Sequence, residues 1–281
     1  MGSSPTSSLA DVLASLELTR IEPRSFSGEQ LPAPANHILG GHISAQALLA
    51  ASLTAPGRAP HSVHTYFLRP GDARRPVRFD VVDLQEGRTF SARRVTARQD
   101  DQILLEAMSS FSALDSQAGG YQPTCPTVPA PESLPVVPPH VAESSAATAG
   151  QWASLRWFER RIVDTGAPDA TPPARSLMWW RPDGPLPDQD PVRTAALVAY
   201  LSAVTLTEPV YRARGRIGTS LQRDHSVWFH APADLSDWLL YDQCSPSSTA
   251  ALALGTGSMF NRDGRLVCTV SQELFFAPPR E

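Results

Sequence analysis

Apolar and polar positions along this chain follow two different periods, and the change of period occurs twice in the same order. The stretch HILGGHISAQALLAASLTA (37–55) spaces Ile38, Leu48 and Leu49 among small residues, as a helix does. HSVHTYFLRPG (61–71) then alternates and runs into Pro70. VRFDVVDLQEG (77–87) and RTFSARRVTARQDDQILLEAMSSFSA (88–113) alternate again, with QDDQ as a turn. The second half repeats the sequence of events. TAALVAYLSAVTLTEPV (194–210) is helical, with Leu197, Leu201 and Val204 on one face. RDHSVWFHAPADL (223–235) is a strand running into Pro232. DWLLYDQCSPS (237–247) and TAALALGTGSMFNRDGRLVCTVSQELFFA (249–277) follow, with RDG as the turn. Each half has a leading strand, in LTRIEPRSFSGE and in SLRWFERRIVD, and the second half carries one additional strand, RSLMWWRPDG.

One helix followed by long antiparallel strands predicts an α+β unit in which a sheet wraps a central helix. Two such units can join edge strands into one sheet, which disposes of exposed edges. Between them, the Pro-, Ala- and Ser-rich residues 115–151 show no periodicity and read as a linker. The expected organisation is therefore a first unit over 1–114, a linker over 115–151 and a second unit over 152–281.

Composition narrows the partners. The formal net charge is −4, which argues against nucleic acid. All 24 basic residues are Arg, so no single Arg stands out by its type alone. Cys125, Cys244 and Cys268 are far apart and form no CxxC pair, so neither a disulfide framework nor a metal site is expected. No apolar run is long enough for a membrane span, and the N-terminus lacks the pattern of a secretory signal, so a cytoplasmic protein is expected.

The stretches LGGHISAQAL, HSVHTYFLRPGD, GRTFSARRV, DHSVWFH, WLLY and DGRLVCTVSQE resemble type II acyl-CoA thioesterases across nearly the whole chain. The resemblance implies a double hotdog fold, hydrolysis of fatty acyl-CoA to free acid and CoA, no cofactor or metal, and assembly into homodimers or higher homo-oligomers through the hotdog sheets. It also implies a water-activating set in the second unit: an Asp on the central helix, a Thr or Ser on the strand before the DH…WFH motif, and a Gln before the Glu near the C-terminus. In this chain the Gln is Gln272, the Thr/Ser position is Gln222, and the Asp position is Ala203.

The chemistry of that departure is direct. Thioester hydrolysis needs a held water, a base for its proton and donors for the carbonyl oxygen. Two carboxamides can hold a water, but neither takes its proton, and a methyl at 203 removes the base. The expected outcome is weak or absent hydrolysis. The alternatives are a re-sited base, at Asp224 or a histidine, or a non-catalytic acyl-CoA-binding or assembly protein. On a regular strand Asp224 shares a face with Gln222, while His225 points the other way. His42, after Gly40–Gly41, and Tyr66 are candidate substrate-binding residues. Ser202 has no visible base partner and reads as structural. The aromatic residues Trp152, Trp157, Trp179, Trp180 and Trp228 read as core, and Arg93 and Arg94 as members of a solvated strand.

Overall fold

The computed structural model describes residues 7–33, 36–113, 120–136, 157–164, 174–188, 190–214 and 220–276. The first half runs α1 (Leu9–Ser15), β1 (Thr19–Glu22), β2 (Ser25–Gly28), α2 (Gly40–Ser52), β3 (Ala59–Phe67), β4 (Val77–Glu86), β5 (Phe90–Gln99) and β6 (Gln102–Ser112). The second runs β7 (Phe158–Asp164), β8 (Ala174–Pro182), α3 (Pro191–Thr205), α4 (Glu208–Arg214), β9 (Ser220–Gln222), β10 (Asp224–Phe229), β11 (Leu239–Ser248), β12 (Leu252–Asn261) and β13 (Leu266–Phe276). All strands lie in one sheet of order β1-β2-β4-β5-β6-β3-β10-β13-β12-β11-β8-β7, with β9 also on β13. Reading outward from the β3–β10 seam gives the same order in both directions, so the two halves are related by a pseudo-twofold. This is the double hotdog. At the seam the strands pair antiparallel, with Asp224 opposite Tyr66 and Trp228 opposite Ser62.

The strands alternate buried and less buried residues, most regularly in β5 and β13, so one face of the sheet closes on the helices. Helices α2 and α3 are buried nearly all round and are built from Ala, Gly, Ser and Leu. Small residues let them approach each other. A side chain built on Gly41 would stand 2.8 Å from the Tyr200 carbonyl oxygen.

Three features depart from the sequence pattern. The helix expected over 194–210 stops at Thr205 and restarts as α4, because Pro209 has no N–H for the Thr205 carbonyl and its ring crowds that group. Each half leads with a hairpin rather than a strand, so β8 in RSLMWWRPDG is the counterpart of β2 and not an addition. Residues 120–136 form a strap across the outer face of the second half. Gln122 Nε2 donates to the Gly264 carbonyl and its Oε1 accepts from Leu266 N. Trp179 Nε1 donates to the Pro129 carbonyl. Cys125, Val128 and Leu134 pack on Trp179, Trp238 and Phe260. The expected unit boundaries at 114–115 and 151–152, and Trp152, lie outside the described residues.

Arg93 corrects the expectation of a solvated strand. It is 2% exposed and donates to Thr54 and the Gln85 carbonyl while pairing with Asp83 and Glu86. Arg94 is exposed. Arg93→Met is expected to cost about 3 kcal/mol, because it strands those acceptors while the two carboxylates can still reach water. Chemical denaturation of both proteins measures this.

Candidate active site

A cleft of about 390 Å³ opens where the two halves meet. Its floor is the N-terminus of α2 against the C-terminal end of α3, with Gly40, Gly41, Ala203 and Val204 on its wall. Phe67 and Leu104 line it from the first half, and Gln222 from the second. The N-cap of α2 is Leu39, which offers no side-chain acceptor, and no acidic residue stands in the first turn. The first amides of α2 therefore keep their donor capacity and the positive end of the helix dipole faces the cleft.

The pseudo-twofold supplies a second cleft, of about 280 Å³, at the N-terminus of α3. There Asp190 caps the helix, its Oδ2 accepting from Arg193 N at 2.9 Å. Arg193 also pairs with Glu17 and Asp188, and Leu16–Leu18, just after α1, line the space. At this second cleft a first-turn amide, that of Arg193, is taken by the capping carboxylate, whereas α2 has no such side-chain cap.

Ala203, Gln222 and Gln272 come together: the first two line the first cleft, and Gln272 lies buried behind Gln222. Gln222 Nε2 donates to the Ala203 carbonyl at 3.2 Å and to Gln272 Oε1 at 3.3 Å. Ala203 is 2% exposed and Gln272 is fully buried. The methyl of Ala203 faces Gly41, whose constructed Cβ would lie 3.0 Å from it. Gln222 Oε1 lies against Gly40, with 1.9 Å to a Cβ built there. Among the described residues lining this cleft there is no carboxylate.

A β-bulge sets the direction of Gln222. Gln222 is opposite Leu274, whereas Ser226 is opposite Ser271, so one residue more lies on the β9–β10 side than on β13. That residue is Arg223, whose N–H still bonds to the Glu273 carbonyl and whose carbonyl bonds to Phe67 N. The extra residue reverses the alternation expected from the sequence. Gln222 and His225 both point inward, and Asp224 does not share their face. Asp224 Oδ1 instead accepts from Glu273 N at 2.7 Å, a tie between strands.

The other candidates lie elsewhere. Tyr66 is 61% exposed and does not line the cleft. His42 is buried with Nε2 2.9 Å from Ser15 Oγ, joining α2 to α1. His225 is buried with Nε2 3.0 Å from Ser202 Oγ. Burial pushes the His42 ring down to about 3 and the His225 ring down to about 4. Both are therefore neutral when folded, whereas the unfolded chain protonates each near pH 6.5. Their contribution is fully present above about pH 6.5 and is lost as pH falls toward 4, at about 1.4 kcal/mol per pH unit per ring. The melting temperature is expected to fall over that range, with about two protons from these rings taken up on unfolding at pH 5. Calorimetry in buffers of different ionisation enthalpy tests this.

Sequence pattern missed His37, Arg69, Arg223 and Tyr211, which also line the cleft. His37, Arg69 and Arg223 lie within stretches that the pattern did single out, and Tyr211 is placed only by the break after α3.

Comparisons with known proteins identify the family. A family model described as acyl-CoA thioesterase matches residues 171–275, and one described as acyl-CoA thioesterase N-terminal domain matches residues 29–112. Acyl-CoA thioesterase 2 of Haemophilus influenzae is 33% identical over 277 residues, covering 94% of this chain and 96% of that protein. The chain belongs to the acyl-CoA thioesterase family. Among solved structures of this family's kind, a tesB protein of Mycobacterium avium subs paratuberculosis is 66% identical. It covers 97% of this chain and 100% of its own, with a TM-score of 0.86. The acyl-CoA thioesterase II TesB2 of Mycobacterium marinum is 30% identical, covers 95% and 98%, and has a TM-score of 0.78. Among the described residues of this thioesterase-family protein, no helix is long and apolar enough to cross a membrane.

Proposed function

We propose that this protein binds fatty acyl-CoA in the cleft between its halves and hydrolyses the thioester slowly. The carrying observation is the absence of a carboxylate among the described cleft residues, with the Ala203 methyl set beside two carboxamides. In this reading the thioester carbonyl oxygen lies at the open amides of Gly40 and Gly41, where the helix N-terminus meets the charge that grows on it. Gln222, backed by Gln272, holds the attacking water. No group beside them takes its proton, so the water attacks without general-base assistance and CoA leaves as the thiol. The rim residues Arg69, Arg223 and His37 fit the anionic end of CoA.

A thiol-release assay across acyl lengths, beside a direct acyl-CoA binding measurement, tests this. Saturable binding with slow turnover is expected, and Gln272→Ala is expected to lower that turnover about tenfold, the worth of one neutral hydrogen bond. Fast turnover would overturn the reading, and its loss in His37→Ala would assign the base to the rim histidine. Neither binding nor turnover would leave a role in assembly. The proposal also holds that the protein is a cytoplasmic homodimer associating through its sheets. Exposed Tyr66, Met108 and Trp228 on the strands at and beside the seam support that surface, and light scattering tests the stoichiometry.

A further inference from the structure

Two buried polar atoms beneath the cleft have no hydrogen-bond partner among the described residues: Nδ1 of His225 and Nε2 of Gln272. They belong to neighbouring residues. Ser226 lies opposite Ser271 on the antiparallel pair β10–β13, so one step along the register sets His225 opposite Gln272. Both side chains are on the buried face of the sheet. Directly opposed residues carry their Cβ atoms about 5 Å apart, within reach of a contact made directly or through one water. Thr65, the residue opposite His225 on β3, is already paired with Ser44 on α2.

The hydrogen bonds around them have one consistent direction. Ser202 Oγ donates its single proton to the Ala199 carbonyl at 2.9 Å. It can therefore only accept from His225 Nε2, 3.0 Å away, which must carry the ring proton. Nδ1 is left as a bare lone pair in the interior. On the other side, Gln272 Oε1 is committed as the acceptor for Gln222 Nε2, so its amide nitrogen points away from Gln222. An orphan acceptor and an orphan donor thus lie on directly opposed residues, not bonded to each other in this structure, and leaving both unmet would cost each its desolvation.

We infer that His225 is a positioning residue, whose Nδ1 lone pair holds the Gln272 amide with nitrogen inward and oxygen toward Gln222 and the cleft. The inference rests on the reading of Gln222, backed by Gln272, as the water-holding group. It adds a direction to that site. Ser202 on α3 sets the tautomer of His225, His225 sets the amide of Gln272, and Gln272 sets the amide of Gln222, whose Oε1 becomes the acceptor beside Gly40. An acceptor there orients a water by its hydrogen and turns a lone pair toward the substrate carbon. The neutral state this needs at pH 7 agrees with the downward shift that burial imposes on the ring.

The test has one spectroscopic and one kinetic arm. In protein labelled with ¹⁵N-histidine, the His225 resonance, assigned by its loss in His225→Asn, is expected to show a protonated Nε2 and an unprotonated Nδ1 at pH 7. Kinetically, His225→Asn keeps an acceptor near Nδ1, and His225→Gln keeps a donor near Nε2. The Asn variant is expected to turn over about tenfold faster than the Gln variant, with the difference in kcat and not in KM and with both melting alike. The same pair made in an Ala203→Asp background keeps the comparison measurable. A protonated Nδ1, or equal rates for the two variants alongside a rate that depends on Gln272, would overturn this inference alone. A rate unaffected by Gln272→Ala would overturn the site reading, and the inference with it.

Discussion

Ala203→Asp is expected to raise acyl-CoA hydrolysis by about 10²–10⁴, the usual worth of general-base assistance. The backbone already holds the position correctly. The 203 methyl faces Gly41 at the open N-terminus of α2, and the Ala203 carbonyl is fixed by Gln222 Nε2. A carboxylate there would feel two opposed influences. Burial would raise its pKa, while the helix dipole, the free amides of α2 and the carboxamide donors would lower it. An ionised base that still holds a proton well is the state such chemistry needs. Ala203 lines the cleft, and the larger side chain can extend into that open space. Adding Gln222→Thr should increase the gain, since a hydroxyl both accepts from and donates to a water where Gln222 now fills the space. Thiol release under saturating acyl-CoA measures the effect. Folded variants that bind acyl-CoA and gain no rate would show that position 203 is not where the proton is taken.

Gly41→Val is expected to destabilise the protein by about 3 kcal/mol and to abolish acyl-CoA binding. Its Cβ would meet the Tyr200 carbonyl oxygen at 2.8 Å and the Ala203 Cβ at 3.0 Å. The first of these is backbone, so the clash is relieved only by moving α2 away from α3. Overpacking of this kind costs about 1–3 kcal/mol and occasionally more, and a β-branched residue at the tightest crossing sits at the upper end. In a protein of this size that corresponds to a fall of roughly 5 °C in melting temperature. Gly40→Ala is the control. Its Cβ meets the end of the Gln222 side chain and the tip of the Phe67 ring, side-chain atoms that can give way, so stability should change less than in Gly41→Val while the amide pair is disturbed. Thermal melts of the two variants separate the cases, and equal melts would show that the helices are not in contact at Gly41.

Much of the fold is readable from the chain because each element carries its own period. The two helices, the long strands and the turns at QDDQ and RDG follow from local spacing, and the repeated order predicts the paired halves. Ala203, Gln222 and Gln272 were placed together by resemblance to a known family, since no local pattern links residues so far apart in sequence. What was not readable depends on a partner strand. Nothing between Gln222 and Asp224 announces a bulge, because a bulge is a mismatch with β13 and exists only once the strands pair. Asp224 and His225 were consequently given the wrong faces. Arg93 looked solvated because its burial comes from Thr54, Asp83 and Glu86, which the fold brings in from elsewhere. The 120–136 strap, low in periodicity, binds largely through single contacts to residues more than 100 positions away, such as Gln122 with Gly264.

The seam between β3 and β10 has a consequence for how such a protein can change. Two identical hotdogs would carry two identical grooves, and any alteration would strike both at once. With the halves on one polypeptide, the groove beside Gly40 and the groove beside Asp190 carry different residues. Each can drift without dragging the other along, so a change of chemistry in one pocket need not disturb the scaffold it shares with the other.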